Sequence, residues 1–177
     1  MIKPQVIWLT GLSGAGKSTL ATRLAENLSQ HDVRTFIIDG DVLRESAGHD
    51  LGFSKEDRSK NVMRATQLAK EKLQQGFLVI VAMISPFIKD REHARSQFKP
   101  SLFIEVYVST PLSECERRDP KGLYKKTRDG LILDMTGIHS PYEPPLKPEL
   151  VIDTTDLDPY RAGEMILARL SAPSNPV

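Results

Sequence analysis

The chain has 177 residues, with 24 lysines and arginines against 23 aspartates and glutamates, for a formal net charge of +1. That length suits one domain of about 150 residues or slightly more with a full core, and the near-zero charge argues against a protein whose work is to coat nucleic acid or a membrane surface. The single cysteine, Cys115, excludes an internal disulfide and a multi-cysteine metal site, and no apolar run nears the ~20 residues that span a bilayer. Met1 to Pro4 run straight into a short apolar segment instead of a secretory leader, so one cytoplasmic domain over residues 1–177 is expected.

Five short apolar runs follow one another: Val6–Leu9, Thr35–Ile38, Leu78–Ile84, Leu102–Val108 and Leu150–Ile152. They are rich in Val, Ile and Phe and mostly do not alternate, which is the pattern of strands buried on both faces of a parallel sheet. After the first run, Leu20, Ala21, Leu24, Ala25 and Leu28 recur at helical spacing. A second long helix is predicted to open at Ser54, with Asp57 as its capping-box partner. It continues through Val62, Ala65 and Ala69 to Leu73 and stops at Gly76. Residues 117–128 carry six basic side chains (Arg117, Arg118, Lys121, Lys125, Lys126 and Arg128) against one acid, Asp119. Pro141, Pro144, Pro145 and Pro148 then forbid regular structure, so the span 115–148 reads as a long irregular excursion of the kind that serves as a lid. A last helix is predicted with Asp158 as N-cap, Pro159 in its first turn, and Ala162, Ile166 and Leu170 inward; the tail 172–177 is expected to fray. Strands alternating with helices imply a layered α/β fold with right-handed crossovers.

The first apolar run ends on Gly11-Leu12-Ser13-Gly14-Ala15-Gly16-Lys17-Ser18. This phosphate-loop pattern sits between a predicted strand and a predicted helix, the setting the motif requires. Its glycines let successive backbone N–H groups turn inward around a phosphate, and the helix amino end adds partial positive charge. Residues Gly11 to Thr19 are therefore expected to hold ATP, with Lys17 reaching the β- and γ-phosphates and the Ser18 hydroxyl on Mg²⁺. There is no Asn-Lys-x-Asp segment to read guanine. The third run ends Met83-Ile84-Ser85-Pro86, without the carboxylate of a motor-type ATPase. Transfer to a small acceptor fits better than a switch or a motor.

Asp39-Gly40-Asp41 follows the second run, with Arg44 three residues beyond. Ligands of an open α/β sheet collect at the carboxyl ends of strands. Both acids are therefore expected near the phosphate loop, as a base for an acceptor hydroxyl, as Mg²⁺ partners through water, or as caps of the next helix. Arg58 and Asn61 precede Val62 and Ala65 by four residues each and so continue the buried stripe of the second long helix. A buried charge needs a partner, here either an anionic ligand or one of Asp39 and Asp41. Phe53 is a hydrophobic staple or a face for a base to stack on, and spacing alone favours the staple. Ser85 can bond a ligand, accept a phosphate or cap a turn. Cys115 has no histidine partner and reads as a small core residue; the histidines show no metal-ligand spacing and read as surface groups. These residues also suit a kinase for a sugar acid, shikimate or a nucleoside monophosphate, or a nucleotide-dependent binding module without transfer.

Taken together, the motifs resemble the adenylyl-sulfate kinase (APS kinase) family along almost the whole chain. Besides the phosphate loop these are Asp-Gly-Asp-x-x-Arg at Asp39, Leu-Gly-Phe-Ser at Leu51, Asp-Arg-x-x-Asn at Asp57 and Ile-Ser-Pro-Phe at Ile84. Arg-Asp-Pro-Lys-Gly-Leu-Tyr-Lys-Lys at Arg118 and Thr-Gly-Ile-x-Ser-Pro-Tyr-Glu at Thr136 complete them. The resemblance implies a P-loop NTPase-type three-layer α/β/α fold with a predominantly parallel five-stranded sheet and a lid. It also implies ATP plus adenylyl sulfate giving ADP plus 3′-phosphoadenylyl sulfate with Mg²⁺, in sulfate assimilation, and a homodimer. It places Asp41, Arg44, Phe53, Arg58, Asn61, Ile84, Ser85 and Lys121 around adenylyl sulfate. Ser85 matches the family's phosphoserine, though direct in-line transfer would leave it only a positioning role. One departure stands out: the family usually has Phe before Thr-Gly-Ile, where this chain has Met135, so weaker adenylyl-sulfate binding is expected.

Overall fold

In a computed structural model, the described residues are 2–46 and 51–171, and the expected frayed tail lies outside them. Five parallel strands form one sheet in the order β2-β3-β1-β4-β5. They are β1 (Val6–Thr10), β2 (Thr35–Asp39), β3 (Leu78–Ala82), β4 (Phe103–Val108) and β5 (Leu150–Ile152). The helices are α1 (Lys17–Ser29), α2 (Gly40–Ser46), α3 (Lys55–Gln74), α4 (Ile88–Ser96), α5 (Leu112–Arg118), α6 (Leu123–Arg128) and α7 (Pro159–Ser171).

β1 is central, with Val6 opposite both Val79 of β3 and Phe103 of β4. Its period of two sorts side chains between two cores. Ile7 and Leu9 join Leu20, Leu24 and Leu28 of α1 and Ile166 of α7. Val6 and Trp8 join Val62, Ala65 and Ala69 of α3 and Ala94 of α4. Covered on both faces and both edges, β1 is wholly buried, which is why it carries no polar alternation. From β1 the chain passes to β2 on one flank, returns to β3, then crosses to β4 on the other. That reversal opens a crevice at the carboxyl end of β1. Among the described residues no helix is long and apolar enough to cross a membrane.

Local chemistry sets the helix ends. Ser54 Oγ accepts from the Asp57 N–H at 3.1 Å, but the Asp57 carboxylate takes the Gly52 N–H and not that of Ser54, so the predicted capping box is only half formed. Gly76, at φ +82°, ends α3 in a Schellman turn: its N–H bonds the Leu73 carbonyl and that of Phe77 bonds Lys72. Asp158 caps α7 through the Tyr160 N–H at 2.8 Å.

The structure also departs from the sequence reading in the length of β3 and in the short helices. β3 stops at Ala82, because Ser85 adopts φ +40° and Pro86 has no N–H for a ladder. The stretch read as irregular contains α6 and the last turn of α5, while α2 and α4 also went unpredicted. These helices have six to nine residues, too few for a 3.6-residue period to show. Tertiary caps hold them instead: the Asp119 carboxylate accepts from the N–H groups of Tyr124 and Lys125 to start α6. Residues 141–148 carry no helix or strand, as their prolines require.

Candidate active site

The phosphate loop closes the carboxyl end of β1. A Cβ on Gly11 (φ +153°) would stand 2.3 Å from the Val108 carbonyl oxygen, and one on Gly14 (φ +76°) 2.9 Å from that of Cys115. β4 and α5 thus press on the loop from behind, and glycine is what fits. Cys115 is fully buried there, its thiol pushed up by burial, in agreement with a core role. Lys17 Nζ donates to the carbonyls of Gly11 (2.9 Å) and Leu12 (2.7 Å). Burial lowers its pKa from 10.5 to about 8, against the opposing pull of Asp41. Ser18 Oγ donates to Asp39 Oδ2 at 2.6 Å, and Asp39 Oδ1 accepts from the Asp41 N–H at 3.0 Å. Asp39 therefore both starts α2 and faces the phosphate loop.

Asp41 is exposed and ion-pairs with Lys121 of the 115–148 excursion. Burial works against the Lys121 charge, but its bond to Asp41 prevails and holds the ammonium above its ordinary range. Arg44 lies 4.8 Å from the centre of the Phe53 ring and donates to the Gly52 carbonyl. Its pKa is lowered, by burial first, with Asp41 opposing. Phe53 is 62% exposed, and the residue a staple would meet, one turn into α3, is Arg58. The staple reading is corrected: the ring is an open face in the site.

Arg58 and Asn61 are buried, as the α3 stripe predicted. The partner of Arg58 is neither Asp39 nor Asp41 but the far limb of the excursion. Its Nη1 donates to Thr136 Oγ1 and its Nη2 to the Asp134 carbonyl, both at 2.5 Å, and the Asp134 carboxylate lies 3.2 Å from Nη2. Sequence spacing cannot find a partner 76 residues away. Asn61 Nδ2 donates to the Gly40 carbonyl at 3.1 Å, but its Oδ1 is buried without a partner. An orphaned acceptor facing a cavity is a place for a ligand's donor. Ser85 is buried; its Oγ accepts from Trp8 Nε1 at 3.0 Å and lies 3.4 Å from the Met83 carbonyl. The indole N–H inside an apolar strand was the overlooked signal here, since a buried Trp needs an acceptor.

One cavity of about 440 Å³ joins these groups. Ser13, Gly14, Gly16, Lys17, Ser18 and Thr19 line one part; Asp39, Asp41, Arg44, Phe53, Arg58, Asn61, Ile84, Ser85, Lys121 and Met135 line the rest. Gly11, Leu12 and Ala15 do not line it: they support the loop from beneath, and Leu12 faces a separate groove with Leu112 and Ile138. Met135 is buried and belongs to the core on the α1 face. Five cationic side chains (Lys17, Arg44, Arg58, Arg118 and Lys121) outnumber three carboxylates (Asp39, Asp41 and Asp134), so the cavity favours anions. His31, His93 and His139 are exposed, and among the described residues no cluster of His, Cys, Asp and Glu could hold a metal alone.

A parallel sheet in this order, with a phosphate loop at the end of its central strand and a cation-lined acceptor cavity beside it, defines a P-loop kinase. The family model for adenylylsulphate kinase matches residues 3–153. An adenylyl-sulfate kinase of Pseudomonas aeruginosa is 52% identical over 168 residues, covering 95% of this chain and 86% of its own. The Mycobacterium tuberculosis APS kinase solved in complex with AMPPNP and APS superposes with a TM-score of 0.91 at 38% identity, over 97% of this chain and 100% of that one. A hexameric APS kinase from Thiobacillus denitrificans, 33% identical, gives a TM-score of 0.70 over 96% of this chain and 29% of its own. The chain belongs to the adenylyl-sulfate kinase family.

Proposed function

We propose that the protein transfers the γ-phosphoryl group of ATP to the ribose 3′-hydroxyl of adenylyl sulfate, a step of sulfate assimilation placed in the cytoplasm, and that it works as a homodimer. The observation that carries this reading is the continuity of one cavity from the phosphate loop to the buried pair Arg58 and Asn61. A neutral sugar acceptor would leave the excess of five cations over three carboxylates unmatched, whereas a phosphosulfate offers Arg44 and Arg58 anionic oxygen pairs of the kind that arginine grips through two bonds.

The amides of residues 13–19 and the amino end of α1 bind the ATP phosphates. Lys17 leaves the Gly11 and Leu12 carbonyls for the β- and γ-phosphates. Ser18 Oγ and Asp39 Oδ2, 2.6 Å apart, are hard oxygens with no sulfur or imidazole beside them. That pair fits Mg²⁺, which takes its remaining ligands from phosphates and water and, when bound, neutralises charge on the β- and γ-phosphates. Asn61 Oδ1 accepts a donor of the acceptor nucleotide, and Phe53 and Met135 flank its base. Asp41 is the carboxylate free to receive the 3′-hydroxyl proton once Lys121 turns from it to the phosphates. Their pair is half-exposed, so breaking it costs about 1 kcal/mol at most. Ser85 Oγ touches an indole N–H and a carbonyl and no base, so a positioning role in direct in-line transfer fits better than a phosphoserine.

A coupled ADP-release assay tests this with adenylyl sulfate against a sugar acid, shikimate and a nucleoside monophosphate. Turnover restricted to adenylyl sulfate is expected; preference for another acceptor, or ATP binding without product, refutes the reading. Ser85→Ala should retain measurable turnover, which an obligatory phosphoenzyme would not. Light scattering decides the assembly.

A further inference from the structure

Resting on this reading, we propose that Arg91 is a positioning residue: it fixes the main chain of Ser85, and through it the hydroxyl facing the acceptor, to the return limb of the lid. Arg91 lies in the first turn of α4, outside the cavity lining, and is 3% exposed. Its guanidinium divides among three acceptors. Nη1 donates to the Ser85 carbonyl at 2.6 Å, Nη2 to the Glu143 carbonyl at 2.6 Å, and Nε to Glu105 Oε1 at 3.0 Å. The group also lies 5.7 Å from the centre of the Tyr142 ring, which stacks on Tyr107.

Ser85 needs such a brace. It is not glycine, yet it sits at φ +40°, a region an L-residue holds only where its surroundings enforce it. Neighbouring bonds tie the same two segments together. Thr10 Oγ1 bonds the Ile84 carbonyl at 2.7 Å and the Tyr142 hydroxyl at 2.9 Å. The Glu143 N–H donates to the Pro86 carbonyl at 2.8 Å, and its carboxylate accepts from the Ile88 N–H at 2.7 Å. Arg91 bonds both segments directly. Its charge is balanced inside the sheet by Glu105, which also meets Arg95, itself paired with Glu149. The two arginines and two glutamates are neutral together, so the network can be buried. The same limb carries Asp134 and Thr136, the partners of Arg58. Arg91 therefore joins the piece of chain that covers the acceptor to the residue that orients it.

Trp8 is the only tryptophan and donates its indole N–H to Ser85 Oγ, so one indole cross-peak in a ¹⁵N–¹H spectrum reports where that hydroxyl stands. Ser85→Ala should move the peak. Arg91→Lys should move it too and lower kcat about 10²-fold with KM for ATP changed by no more than about twofold. Arg95→Lys, which touches Glu105, Glu149 and the Phe103 ring stacked on Trp8 but not Ser85, should move the peak less than Arg91→Lys does. If folded Arg91→Lys keeps the wild-type peak, or if its loss of activity appears equally in KM for ATP, the proposal is overturned. Should that variant not fold, Arg91→Met combined with Glu105→Gln removes the charge and its partner together in similar volume, and the same readings decide. The indole comparison needs no substrate. Absence of product from the wild-type enzyme would therefore sink the functional reading while leaving this one decidable.

Discussion

Raising the pH should switch off ATP capture before it harms the fold, and Lys17 is the reason. Its ammonium is buried against carbonyls, and its pKa falls from 10.5 to about 8. The interval of about 2.5 pH units corresponds to roughly 3 kcal/mol at 1.36 kcal/mol per unit, the net extent to which the site disfavours the charge, with burial outweighing the pull of Asp41. A triphosphate beside Nζ reverses that balance and holds the proton. In the free enzyme the proton is lost with a midpoint near pH 8, so kcat/KM for ATP should fall about tenfold per pH unit above it. At saturating ATP, kcat should hold to higher pH. Calorimetry at pH 8.5 in buffers of different ionisation enthalpy should detect proton uptake on ATP binding. Stability moves the opposite way: the unfolded lysine stays protonated to about 10.5, so between pH 8 and 10.5 the folded state binds fewer protons and the burial penalty fades as pH rises. A kcat/KM flat from pH 7 to 9.5, or ATP binding without proton uptake at pH 8.5, would refute the reasoning.

Met135→Phe should lower KM for adenylyl sulfate, or sharpen its substrate inhibition, by about two- to tenfold, the worth of 0.5–1.5 kcal/mol of aromatic contact; steady-state kinetics showing neither change would contradict the assignment of Met135 to the base. Cys115→Ser should keep kcat and lower thermal stability, because the thiol is buried and has no chemical role; a melting curve and an assay on the same sample separate the two. Gly11→Ala should destabilise by about 1–3 kcal/mol or more, since its Cβ would meet the Val108 carbonyl at 2.3 Å, and urea unfolding measures this directly.

The sequence by itself determined the strands, the long helices and the phosphate loop, because each is written in neighbouring residues. Val6 to Leu9 is uniformly apolar since both faces of β1 are covered, and α3 is marked by its stripe, its Ser54 cap and its Gly76 stop. The burial of Arg58 and Asn61 was legible in the same stripe. Tertiary structure alone decided what those polar groups meet. Arg58 finds Asp134 and Thr136, Trp8 finds Ser85, and Arg91 finds Ser85 and Glu143 across separations of up to 78 residues, with only Arg91 close in sequence to one of its partners. The short helices α5 and α6 were illegible for a related reason: segments this short owe their shape to Asp119 and to packing on the phosphate loop, not to a period of their own. Periodicity records which face a residue turns to the core, whereas a partner brought in by a crossover leaves no mark in local spacing.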